Sequence, residues 1–99
     1  MIRHILLIRF KPDASSASIL EVKNAFLSIP SKISGLDSVE WGVNDSPEQK
    51  NKGYTHCVFM TFTDNKTRES YLVHPAHLDL KTIFRPTLED IIVFDYTTL

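Results

Sequence analysis

Ninety-nine residues, 42% of them apolar and 23% charged, suffice for one hydrophobic core but not two, and the composition is far from that of a disordered chain. Eleven Lys and Arg against twelve Asp and Glu give a formal charge of -1 with no clustered basic face, which argues against a nucleic-acid partner. A lone Cys57 excludes an intrachain disulfide scaffold and suits a reducing, cytoplasmic setting, and no apolar run nears the ~18 residues of a membrane span.

Ile2 to Phe10 is rich in Ile and Leu and short enough for a strand, with Ile2, His4, Leu6, Ile8 and Phe10 on one face and Arg3, Ile5, Leu7 and Arg9 on the other. Lys11-Pro12-Asp13 ends it. Ser18 followed by Glu21 fits a capping box, and Ile19, Val22, Phe26 and Ile29 recur at helical spacing up to Pro30. After a turn at Ser34-Gly35, Val39, Trp41 and Val43 alternate with Glu40, Gly42 and Asn44 as a half-buried strand expected near a sheet edge. A polar loop, Asn44 to Gly53, leads to a strand from Thr55 to Phe62, with His56, Val58, Met60 and Phe62 on one face and Cys57 and Phe59 on the other.

Asp64 or Asn65 can cap a second helix through Tyr71 to Val73, and Pro75 suits the first turn of a further helical piece carrying His77, Leu80 and Phe84 before Pro86. Ile91 to Tyr96 is the last strand. The order βαββαβ predicts one α+β domain over 1–99, a ferredoxin-like sandwich with both helical layers on one side of the sheet, because crossovers are right-handed. Ile5, Leu7, Phe59, Ile91 and Val93 are then candidates for the other side, and a homodimer through that sheet face is the simplest cover for them.

His4-Ile-Leu-Leu-Ile-Arg-Phe-Lys, Ser46-Pro-Glu, Gly53-Tyr-Thr-His, Tyr71-Leu-Val-His-Pro-Ala-His and Phe94-Asp-Tyr resemble the stress-responsive A/B barrel (Dabb) family over nearly the whole chain. The resemblance implies a dimeric α/β barrel. It includes similarity to polyketide cyclase members, which close a linear carbonyl chain by aldol condensation without a cofactor. An aldol step needs a base near neutral pH and a donor for the oxygen on which charge develops, tasks that suit histidine and tyrosine. By resemblance, His77 is the general base and Tyr71 its hydrogen-bonding partner; the break at Pro75 lets residues six apart turn toward one pocket.

Pocket residues expected with them are His4, Leu6, Ile8, Phe26, Val58, Leu72, His74 and Leu88, with a small hydrophobic carbonyl or aromatic ligand, no cofactor and no metal. His74 also fits a helix cap, and His56 is assigned to folding or the dimer interface. Val22, Lys23, Phe26 and Leu88 depart from the aromatic residues of the cyclase members, implying a different substrate. Two other readings stand beside the enzyme: a non-enzymatic stress-response protein with structural histidines, and a monooxygenase-like dimeric barrel. An enclosed apolar cavity with Tyr71 and His77 pointing inward would favour the enzyme, and a filled core the stress protein.

Overall fold

The computed structural model describes residues 1–99. Nine-residue β1 (Ile2–Phe10) is central, hydrogen-bonded antiparallel to β3 (His56–Phe62) on one side and to β4 (Leu88–Thr97) on the other. The sheet order is β2-β3-β1-β4, so β2 (Leu36–Val43) is an edge strand, as its polar alternation indicated. The βαββαβ order and the ferredoxin-like sandwich are those expected from the sequence. Helices α1 (Ser16–Ser28), α2 (Asn65–Val73) and α3 (Pro75–Phe84) contribute buried residues to a single core with the sheet.

Helix starts are set by side-chain oxygens and ring nitrogens that accept the first free amides. The expected box at Ser18 and Glu21 is not the N-terminus of α1. Ser15, in extended conformation, caps it one turn earlier, accepting from Ser18 N at 3.0 Å, while the Ser18 hydroxyl donates to Ser15 O at 2.9 Å. A run of serines offers several caps, and the earliest one adds a turn of helix. Asp64 caps α2 as expected, accepting from Thr67 N at 2.8 Å. His74, with ψ 140°, both ends α2 and starts α3: its Nδ1 accepts from Ala76 N–H at 3.0 Å, and Pro75 follows at the first helical position, where no amide is required.

The helix-facing side of the sheet supplies Ile2, Leu6, Ile8, Val58, Met60 and Phe62 to a core completed by Val22, Phe26, Ile29, Tyr71, Leu80 and Phe84, among others. Phe26 meets Phe84 edge-on at 5.2 Å, and Trp41 packs beside Phe26 and Phe10. His56 lies on this same side, between Phe10 at 5.0 Å and Trp41 at 5.4 Å. It therefore belongs to folding rather than to the outer face.

On the opposite side the register corrects two of the five candidates. Ile91 and Val93 pair with Ile8 and Leu6, so they point toward the helices. Ile92 and Phe94, paired with Leu7 and Ile5, take their place on the uncovered face beside Leu7, Ile5 and Phe59. Phe94 is 60% exposed and Ile92 40%. At one end of this face Arg9 stacks on the Tyr54 ring at 5.2 Å, and the Tyr54 hydroxyl donates to Asp90. No helix is long and apolar enough to cross a membrane.

Candidate active site

Between the sheet and α3 lies a cavity of about 320 Å³. Its walls come from every layer of the fold: His4 and Leu6 of β1, Phe26 of α1, Tyr71 and Leu72 of α2, His77, Leu80, Lys81 and Phe84 of α3, then Arg85, Leu88, Ile91 and Val93. Val93 faces the helices yet is 57% exposed, because β4 is an edge strand that the helices do not fully cover. The cavity opens along that edge.

Of the residues singled out from the sequence, His77, Tyr71, His4, Leu6, Phe26, Leu72 and Leu88 are brought together here. Three are not. Ile8 and Val58 are fully buried in the packed core, without surface to offer a ligand. His74 spends its ring nitrogen on the cap of α3 and does not line the cavity.

The break at His74 and Pro75 does what helical spacing alone forbids. Six residues apart on one continuous helix would diverge; here the Tyr71 and His77 rings lie 4.3 Å apart between centroids. The His77 Nδ1–H donates to the Leu72 carbonyl at 3.1 Å, which holds the tautomer whose Nε2 carries the free lone pair. Burial keeps His77 below its ordinary value of 6.5 against the opposing pull of that carbonyl, and the charges of Lys81, His4 and Arg85 add to the lowering. The ring is thus a neutral base at neutral pH.

Tyr71 is 1% exposed, between Phe62 at 5.2 Å and His4 at 6.1 Å. Burial alone raises its phenol well above the ordinary range, with no hydrogen bond from the chain contributing, so it is a proton donor throughout the accessible pH range. No buried side-chain polar atom is sealed from solvent without a partner. The Tyr71 hydroxyl, which no protein group engages, therefore reaches the cavity.

Lys81 and Arg85 in the cavity wall were not singled out from the sequence, nor were Asp95 and Arg68 beside it. Asp95 on β4 accepts from His4 Nδ1 at 2.6 Å and pairs through its other oxygen with Arg68 of α2 at 3.2 Å. The carboxylate orients the His4 ring, and the guanidinium balances the carboxylate. A signal existed: Asp95 shares strand parity with Ile91 and Val93, a position where an acid needs a partner, and His4 is its register neighbour. Arg68 gave none, since only the packing of α2 brings it there.

The stress responsive A/B barrel domain matches residues 2–98. This chain belongs to that family. Among relatives of this Dabb protein, olivetolic acid cyclase from Cannabis sativa is 30% identical over 96 residues, 97% of this chain and 95% of that protein. A stress-response A/B barrel domain-containing protein from Arabidopsis thaliana is 33% identical, covering 96% and 87% of the two chains. Hydroxynitrile lyase from Passiflora edulis has a similar structure, with TM-score 0.89 and 25% identity over 96% of this chain and 90% of that one. A Bacteroides fragilis structure described as a dimeric protein of ferredoxin-like fold is 26% identical with TM-score 0.76, over 98% and 95%.

No group of three or more His, Cys, Asp or Glu side chains is gathered in the Dabb fold of this chain. The arrangement around the cavity is one of base and donor: a neutral imidazole, an unengaged phenol and a second, carboxylate-oriented imidazole.

Proposed function

We propose that this Dabb protein is a homodimeric, cofactor-independent acid–base enzyme that acts on a small carbonyl compound in the cavity between sheet and α3. The observation that carries the reading is the Tyr71 hydroxyl, which no protein group engages and which reaches the cavity beside a His77 whose tautomer leaves Nε2 free. A phenol that faces the cavity with no partner in the chain is free to donate to an oxygen of whatever occupies it.

In the cyclase-like reaction the His77 Nε2 takes a proton from the carbon beside a carbonyl, and the electron pair moves into an enolate whose oxygen accepts from Tyr71. The enolate carbon then attacks a second carbonyl of the same molecule. The new alkoxide recovers the proton from His77, so the base is restored and no electrons are exchanged. His4, oriented by Asp95 through Nδ1, lines the same wall. A lyase reaction on a cyanohydrin would use the same pair: His77 takes the hydroxyl proton as the carbonyl forms and the carbon–cyanide bond breaks, and the departing cyanide takes that proton from His77 and leaves as hydrogen cyanide. The likeness to olivetolic acid cyclase and to hydroxynitrile lyase supports this common acid–base chemistry rather than either substrate.

The dimer reading rests on the uncovered sheet face with Leu7, Ile92 and Phe94, and is supported by the dimeric relative from Bacteroides fragilis. The test of activity is direct. Proton–deuterium exchange beside the carbonyls of benzoylacetone, followed by NMR in heavy water, and cleavage of mandelonitrile to benzaldehyde should each be compared with His77→Ala. Acceleration of at least one reaction by the wild type, lost in the variant while circular dichroism stays the same, is expected. No acceleration of either, or equal acceleration by the variant, would overturn the enzyme reading and favour the stress-response one.

A further inference from the structure

His77, Lys81 and Arg85 recur every four residues along α3 and into the turn that ends it, so they form one stripe on the helix surface. All three line the cavity. Lys81 and Arg85 also line an adjoining groove of about 270 Å³, with Leu78, Thr82 and Pro86. The chain's ion pairs use Asp95, Asp90 and Glu48 as their acids, and none reaches Lys81 or Arg85. Neither cation donates a side-chain hydrogen bond to the chain. Two uncompensated positive charges thus border a mostly apolar cavity whose wall also holds the unengaged Tyr71 hydroxyl.

From these observations we infer that the substrate is an amphiphilic anion. Its apolar body fills the cavity, its carbonyl meets Tyr71 and His77, and a carboxylate or phosphate end is held by Lys81 and Arg85. With a rise of 1.5 Å per residue, the two cations stand about 6 and about 12 Å along the helix from His77. The anionic end therefore lies one to two helical turns from the reacting carbonyl. Lys81 serves as a point charge whose aliphatic stem still covers apolar surface, while Arg85 offers a planar fork that fits either oxyanion. The inference rests on the reading of the cavity as a carbonyl site and adds the charge of what enters it.

The experiment titrates the full chain by calorimetry with benzoylbutyrate, its neutral amide benzoylbutyramide, and the phosphonate analogue benzoylpropylphosphonate. An anion should bind about tenfold more tightly than the amide, with the advantage shrinking at high salt. Lys81→Gln and Arg85→Gln should each remove most of that advantage, read as the ratio of anion to amide affinity within each variant, with circular dichroism confirming that both variants fold. A phosphonate preferred over the carboxylate identifies a phosphate ester as the natural end group; the reverse order identifies a free acid. Equal affinity for amide and anions would overturn the charge inference while leaving the carbonyl cavity standing. Failure of all three to bind would overturn the inference and the cavity reading together.

Discussion

Replacing Tyr71 by Phe removes one oxygen from a residue that is 1% exposed, and leaves every ring contact in place. Because no protein group accepts from or donates to that oxygen, its loss leaves no partner stranded. The usual cost of deleting a buried hydrogen bond, about 1 kcal/mol, is absent, and removal of a poorly solvated hydroxyl works in the opposite direction. Stability should therefore stay within about 0.5 kcal/mol of wild type or rise slightly. Tyr71→Ala, by contrast, empties a core position filled by a large ring and should cost about 3–5 kcal/mol. If Tyr71 is the donor to a developing oxyanion, its loss should slow α-proton exchange by about 10²–10³-fold, about 2.7–4 kcal/mol of transition-state stabilisation. Urea unfolding followed by Trp41 fluorescence at fixed protein concentration reads the first quantity, and exchange into benzoylacetone reads the second. Destabilisation of 1.5 kcal/mol or more in Tyr71→Phe would mean that the hydroxyl has a structural partner. Unchanged stability together with an unchanged exchange rate would refute the donor role.

Other outcomes follow from the same geometry. The folded His77 titrates below 6.5 while the unfolded residue takes its proton near that value, so its contribution to stability is complete above 6.5 and is lost as the pH falls toward the folded value. Catalysis should show an acid limb that starts below 6.5, and a limb centred above 6.5 in a pH–rate profile would contradict the assignment. Gly35 has φ +86°, and an added Cβ would meet the Thr67 side chain at 2.6 Å, so Gly35→Ala should destabilise by about 1–3 kcal/mol in urea titration. A variant as stable as wild type would mean that the turn rearranges. Phe94→Glu places a charge on the uncovered sheet face, so light scattering should change from about twice 11.3 kDa to a monomer or an unfolded chain. A dimer undisturbed by Phe94→Glu would move the interface to another face.

Patterns carried by neighbouring residues were legible in the sequence. Alternation in Ile2 to Phe10 and in His56 to Phe62 assigned faces correctly, because side chains along a strand must point alternately to opposite sides. The break at Pro75 was equally local: a proline favours the first helical turn, and the extended residue before it lets the chain change direction. The convergence of Tyr71 and His77 could therefore be anticipated. Strand parity failed in β4, where an apolar run from Ile91 to Phe94 offers both faces equally, and only pairing with β1 sends Ile91 and Val93 to the cavity and Ile92 and Phe94 to the open side. The cap of α1 at Ser15 rather than Ser18 was likewise undetermined, since either serine has the required oxygen. The Arg68, Asp95 and His4 relay belongs wholly to tertiary structure: its residues come from segments separated by tens of positions, and only the packing of α2 on β1 and β4 brings them together. The four-residue spacing of His77, Lys81 and Arg85 is local, but the packing of α3 on the sheet decides that their stripe borders a cavity.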